Sequence, residues 1–283
     1  MLDGFSPIKS YRLFGVDCLS LENEDGVSVE LTEEGADIVD RSADISDLIG
    51  RMSEFITQHN GYIGTERITK AEPSKVLMFG SVLPTYRGAE HLSSVYHPEA
   101  AQDVVIKAYD FEKYAAPVQF YWGAWLHDKL EAYEGQLSSP RQIALLSSPD
   151  DSHRTAIMEY MPGVSLANLM RHLTSTDNGY AMSDVDIILN DVLARARRDA
   201  KWIAGTPGKS IVNDIHSSNI ILPESVMEDP ESACEGRISI IDQPYVNNKM
   251  RLYYKMASRL AYRRRRLPIL PVSLQLDGDT TVA

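Results

Sequence analysis

The stretch Asp214-Ile215-His216-Ser217-Ser218-Asn219-Ile220-Ile221-Leu222 sets a carboxylate and a carboxamide five residues apart, on a polar loop that enters a short apolar run. Phosphoryl transfer needs a carboxylate to orient a hydroxyl and oxygen ligands for the metal that neutralises a triphosphate. Asp214 suits the first task and Asn219 the second. Standing alone, the pair is equally well two turn residues, because Asp and Asn side chains stabilise turns through nearby backbone.

Working downstream, Ile238-Ser239-Ile240-Ile241-Asp242-Gln243-Pro244 ends an apolar run in an acid, twenty-three residues past Asn219. A charge at the end of a buried strand is costly unless a cation or hydrogen bonds satisfy it. The spacing fits a hairpin that returns Asp242 beside Asn219, and such hard oxygen donors suit Mg²⁺. An Asp capping a turn is the plainer alternative. Upstream, Ile157-Met158-Glu159-Tyr160-Met161-Pro162-Gly163-Val164-Ser165-Leu166 takes an apolar strand through a Pro-Gly linker into a helix. Farther upstream, Lys107 sits in Val104-Val105-Ile106-Lys107-Ala108, where alternation turns it away from Ile106. It points either to solvent or, in a cleft, to nucleotide phosphates. Gly88-Ala89-Glu90-His91-Leu92-Ser93-Ser94-Val95-Tyr96 lies between two strand candidates.

The order of a strand lysine, Met-Glu-Tyr-x-Pro-Gly, Asp-x-x-x-x-Asn and Ile-Ile-Asp resembles the protein-kinase-like superfamily over roughly residues 77–262. That resemblance implies an α+β, two-lobed fold, with a β-rich N-lobe over 77–161, a compact, mostly helical C-lobe over 162–266 and a tail over 267–283. Within the superfamily the chain is most similar to the RIO kinases. Ile241-Asp242-Gln243-Pro244 resembles their Ile-Asp-Phe-Pro, Gly88-Ala89-Glu90 resembles their Gly-Lys-Glu phosphate loop, and the chain has no Ala-Pro-Glu motif. The resemblance implies ATP with Mg²⁺ or Mn²⁺. Lys107 contacts the phosphates beneath a loop carrying Gly88, Glu90 and Ser93, and Glu159 and Met161 meet adenine through their backbones. Asp214 acts at the reacting hydroxyl, while Asn219 and Asp242 hold the metal. The implied substrate is a serine or threonine hydroxyl on a protein or on the chain itself, with Ser93 and Ser94 as autophosphorylation candidates.

Two other activities compete. His216 stands where small-molecule phosphotransferases of the aminoglycoside and choline type carry histidine, which makes such an enzyme one alternative. A nucleotide-binding pseudokinase is the other. Its support is a loop that retains one glycine of the usual three, Val212-Asn213 ahead of Asp214, and a helix over 117–133 with no evident acid for Lys107. Asp128, Glu131 and Glu134 are the nearest carboxylates, but alignment on Trp122 puts Ala124 or Leu126 at that place.

Outside this region, residues 1–76 read as an acidic, partly helical appended module, or a cover for the next domain. Its clearest element is a helix through Ile45, Leu48, Ile49, Met52, Phe55 and Ile56, capped by Asp44. Further helices are predicted over Ser183–Ala204, with a Ser183/Asp186 capping box, and over Lys249–Arg264. Arg195, Arg197 and Arg198 read as a solvated face. At 43% hydrophobic and 24% charged residues, the composition is that of an ordinary globular protein. A net charge of −12 argues against general nucleic-acid binding, although Arg263-Arg264-Arg265-Arg266 could meet RNA or an acidic partner. No apolar stretch reaches membrane-span length. With Cys18 and Cys234 as the sole cysteines and no signal-peptide pattern, a cytoplasmic protein is expected.

Overall fold

Gln142–Ser147 and His153–Glu159 are short apolar runs separated by Pro149-Asp150-Asp151, and they form the antiparallel pair at the middle of a nine-stranded sheet. The computed structural model describes residues 2–13, 16–58, 76–78, 83–85, 89–96, 103–110, 116–131, 136–149, 153–175, 180–203, 215 and 217–241. In chain order the elements begin with β1 (Phe5–Leu13), β2 (Val16–Asn23), β3 (Ser28–Thr32), α1 (Glu33–Arg41) and α2 (Ala43–Gln58). There follow β4 (Val76–Met78), β5 (Leu83–Thr85), β6 (Ala89–Tyr96), β7 (Val104–Asp110), α3 (Ala116–Glu131), β8 (Leu137–Ser138), β9 (Gln142–Ser147) and β10 (His153–Glu159). The last are β11 (Val164–Ser165), α4 (Leu166–Leu173), α5 (Met182–Ile203), β12 (Ile220–Leu222), two 3₁₀ turns (Glu224–Met227 and Pro230–Cys234) and β13 (Ile238–Ile240). The chain divides into one unit of residues 1–125, 141–160 and 254–283 and a second of 126–140 and 161–253. Among the described residues, no helix is long and apolar enough to cross a membrane.

In the first unit the sheet runs β1-β2-β3-β9-β10-β7-β6-β4, with β5 also paired to β6. β6, β7, α3, β9 and β10 come in that order along the chain, as two strands, a helix and two strands. The first 58 residues depart from expectation. They lead with three strands, and β3 pairs with β9, so they extend the same sheet. The cause is visible residue by residue. β1 is exposed along most of its length and offers no apolar alternation, while the acids of β2 and β3 interrupt theirs. α2 is the predicted helix, but Ser42 rather than Asp44 caps it, accepting from the Ile45 N–H at 3.3 Å.

One face of this sheet is apolar. Val29, Leu31, Val104, Ile106, Ala144, Leu146 and Ile157 join Val39 of α1 and Ile45, Leu48, Ile49, Met52 and Ile56 of α2 in a single core cluster. Burying each such side chain contributes about 1.5–3 kcal/mol. α1 is held down by Thr32, whose hydroxyl caps Gly35 N–H (2.9 Å) and donates to the Gln142 carbonyl (2.6 Å). So α1 and α2 cover the face opposite Lys107.

The second unit has a small sheet, β11-β12-β13-β8. α5 buries Val185, Ile188, Val192 and Ala196 along one face. Its capping box is absent: the helix begins at Met182, and the Ser183 hydroxyl meets the Asp184 carboxylate at 3.5 Å. Arg195 also differs from expectation, since it is buried, while Arg197 and Arg198 are exposed as expected. The predicted Lys249–Arg264 helix, the tail and Arg263–Arg266 lie outside the described residues.

Candidate functional site

The candidate residues divide between the units. Gly88, Glu90, Ser93, Lys107 and Glu159 belong to the first, and Met161, Asp214, Asn219 and Asp242 to the second. Gly88, Asp214, His216 and Asp242 lie outside the described residues.

Lys107 sits on β7 between β6 and β10. Its cross-strand partners are Ser93 on β6 and Ala156 on β10. Because Val104 and Ile106 enter the apolar core, alternation sends Lys107 to the opposite face. There it is 8% exposed, which excludes the solvent-facing alternative. Its row continues from Ala156 through Leu145 to Glu30 on β3. Glu30, Lys107 and Arg154 are the buried charges among this unit's described residues, and alternation places all three on that one face. Arg154 donates from Nε to the Ser147 hydroxyl at 3.0 Å. Sequence reasoning missed Glu30, because a single acid in an acidic segment carries no signal of burial.

Glu30 also marks how β1 meets α3. The Tyr11 and Tyr121 hydroxyls hydrogen-bond each other, their rings edge-on with centroids 6.1 Å apart. Burial, and then the Glu30 carboxylate beside it, raises the pKa of Tyr11, so the phenol stays protonated. On α3, Asp128 and Glu131 are exposed.

At the end of β10 the Glu159 carboxylate accepts from Arg141 N–H (3.1 Å), Nε (3.2 Å) and Nη2 (3.3 Å). The Glu159 N–H is itself spent on the Arg141 carbonyl at 2.9 Å. A backbone contact from Glu159 to a ligand therefore falls to its carbonyl.

In the second unit, β12 and β13 pair with Ile220 opposite Ile240, and the Ile241 N–H donates to the Asn219 carbonyl at 3.1 Å. The residue before Asp242 is thus bonded to Asn219 itself. Asn219 is 7% exposed. The connection carries two 3₁₀ turns instead of a tight hairpin, which accounts for the long spacing between the two polar residues.

The segment after β10 is stitched to the same loop. Val164 and Ser165 pair with Leu222 and Ile221, and the Ala167 N–H donates to the Ser217 carbonyl at 3.0 Å. Ser165 caps α4 through the Asn168 N–H. Gly163 permits this approach. Its φ is +139°, and a Cβ there would overlap the Leu222 carbonyl oxygen and lie 2.8 Å from Ile221 Cγ2. Gly163→Ala is expected to cost about 2–6 kcal/mol, since backbone strain and overpacking each cost about 1–3 kcal/mol. Thermal melts should show the loss, and amide exchange at Ile220–Leu222 should quicken.

Two arginines of α5 support these segments. Arg195 donates to Gln136 Oε1 (2.7 Å) and to the Ala233 carbonyl (2.8 Å), and Arg197 donates to the Ile215 carbonyl (3.3 Å). Burial lowers the pKa of Arg195, while Asp191 and Asp199 oppose that shift. Burial and Asp191 raise the pKa of the nearby Cys234 thiol.

No protein-family model matches the sequence. No curated protein matches it either. Among the solved structures with partial likeness are three kinases. The PK-1 kinase of Cydia pomonella granulovirus aligns at 10% identity over 63% of this chain and 58% of its own, with a TM-score of 0.37. The BubR1 kinase domain aligns at 16% identity over 72% and 61%, with a TM-score of 0.38. The maize sucrose-induced receptor kinase 1 domain aligns at 14% identity over 65% and 55%, again at 0.38. The chain thus spans less than two thirds of the length of each of these domains.

Proposed function

We propose that this chain is an ATP- and metal-dependent phosphotransferase of the compact atypical kinase kind, similar to RIO kinases, acting on serine or threonine hydroxyls of a protein or of itself. The observation that carries the proposal is the β12–β13 pairing, in which Ile241 hydrogen-bonds the Asn219 carbonyl. It supports a ligand pair made of the Asn219 carboxamide and the Asp242 carboxylate. Both are hard oxygen donors, and that donor set fits Mg²⁺ or Mn²⁺. Bound metal would neutralise the charge that builds on the phosphates.

Lys107 supports the nucleotide side of the proposal. A buried lysine on a face that also buries Glu30 and Arg154 holds its charge only among anionic groups. An anionic phosphate would favour its protonated form. Gly88, Glu90 and Ser93 would line the phosphates, Met161 and the Glu159 carbonyl would meet the adenine edge, and Asp214 would orient the hydroxyl. In this proposal 77–161 and 162–266 are the two working regions, 267–283 is a tail, and 1–76 supports the first region by extending its sheet. A cytoplasmic setting goes with it.

The exposure of Asp128 and Glu131 favours a second possibility, a pseudokinase that binds nucleotide without turnover. One experiment separates these. The full chain is incubated with γ-labelled ATP and Mg²⁺, with EDTA as control, and its melting is followed in parallel. The expected result is EDTA-sensitive label on Ser or Thr, with a stabilisation of about 2.7 kcal/mol at a hundredfold excess of ATP over Kd. Stabilisation without label selects the pseudokinase. Label appearing only on added small alcohols selects the small-molecule enzyme, and neither stabilisation nor label removes the proposal.

A further inference from the structure

We propose that Arg195 and Arg197 are positioning residues for this reaction, Arg195 setting the hairpin that carries Asn219 and leads to Asp242, and Arg197 setting the loop that follows Asp214. The inference rests on the function proposed above, but its geometry lies wholly within the second unit.

Arg195 and Arg197 stand two residues apart on α5, so they leave the helix about 200° apart. They reach different segments for that reason. The Arg195 guanidinium is buried, and its fork joins two points that both lead to β13. Ala233 lies in the second 3₁₀ turn, five residues before Ile238. Gln136 precedes β8, and its carbonyl accepts from the Ile238 N–H at 2.8 Å. β8 then runs parallel to β13, with Leu137 opposite Ile238 and the Ser138 and Ser239 hydroxyls 2.8 Å apart. β13 passes its register to β12, and Ile241 closes on Asn219. Hydrogen bonds alternating with stretches of backbone therefore lead from Arg195 to the backbone of one ligand candidate and to the neighbour of the other.

Arg197 acts on the other segment. Its side chain is exposed, yet Nη2 reaches the Ile215 carbonyl, one residue past Asp214. A charged donor on a backbone carbonyl fixes that carbonyl more firmly than a neutral one would. A residue retained only for solubility has no need of this contact. Arg198, by comparison, pairs with its own neighbour Asp199 at 3.5 Å, and among the described residues it bonds no other segment.

The test compares Arg195→Lys, Arg197→Gln and the control Arg198→Gln with the unaltered chain. Turnover is measured against ATP and Mg²⁺ concentrations, and amide exchange is followed at Ile241. Small misplacements of reacting groups cost rate steeply, up to about a hundredfold for 1 Å. Arg197→Gln is expected to lower kcat about tenfold while leaving KM for ATP and the half-saturating Mg²⁺ concentration in place. Arg195→Lys keeps the charge but loses the fork. It is expected to raise the half-saturating Mg²⁺ concentration severalfold and to speed exchange at Ile241, and Arg198→Gln should match the unaltered chain in all respects. Equal Mg²⁺ requirement and equal kcat in the two positioning variants would overturn the inference, as would a fall in melting temperature with no kinetic change. If the unaltered chain shows no turnover, the proposed reaction fails. In that event Ile241 exchange alone decides whether Arg195 holds the hairpin.

Discussion

The Gly35→Ala chain is expected to melt well below the unaltered chain, with a stability loss of about 3 kcal/mol or more. Gly35 lies in the first turn of α1, where the helix lies directly on β9. An added Cβ would overlap the Ile143 carbonyl oxygen, approach its carbon to 2.8 Å and press on Thr32 Oγ1 at 2.9 Å. Neither group can step aside easily, because Ile143 is in the central strand pair and the Thr32 hydroxyl is bonded to the Gln142 carbonyl. Overpacking of this kind costs about 1–3 kcal/mol, and losing the Thr32 cap adds about 1 kcal/mol. The control is Gly50→Ala in the middle of α2, where a Cβ meets nothing within 4 Å. There the substitution should raise stability by about 0.5–1 kcal/mol, as alanine replaces a poor helix former. Thermal or urea melts of the two variants should therefore move in opposite directions. Equal behaviour would show that α1 does not sit on β9 this closely.

Asp214→Asn is expected to lower phosphoryl transfer by about 10²–10⁴, the usual contribution of a positioned acid–base group. Asparagine keeps the volume and one oxygen but can no longer take up a proton or carry charge. The nucleotide-dependent stabilisation should persist, because Lys107, Asn219 and Asp242 are unchanged. Labelled ATP and a melting assay on the same preparations read both quantities. A variant with full activity would remove Asp214 from the chemistry. Loss of both activity and nucleotide stabilisation would make it a structural residue of its loop.

Much of the first unit's middle was legible because its strands are buried and apolar. Val104–Asp110, Gln142–Ser147 and His153–Glu159 lie close to where their composition put them. α3 was legible too, since Ala116–Glu131 lies close to the helix expected over 117–133. β1 was not legible, because a strand held by one neighbour and exposed along most of its length has no apolar period to show. Arg195 was misread on similar grounds. Its burial depends on Gln136 and Ala233, fifty-nine and thirty-eight residues away, and local charge pattern cannot report that.

From the linear order of residues alone came the spacing of Asp214, Asn219 and Asp242, the strand setting of Lys107 and the Pro-Gly break at Gly163, because each is a local choice of residue type. Only the fold decided which face of its strand Lys107 takes, that Glu30 and Arg154 share it, and that β1–β3 continue the sheet beyond β9. Those facts are set by pairing between distant segments. A strand reports its own period, but its neighbour and the cover on each face are settled when the sheet closes up and water is excluded.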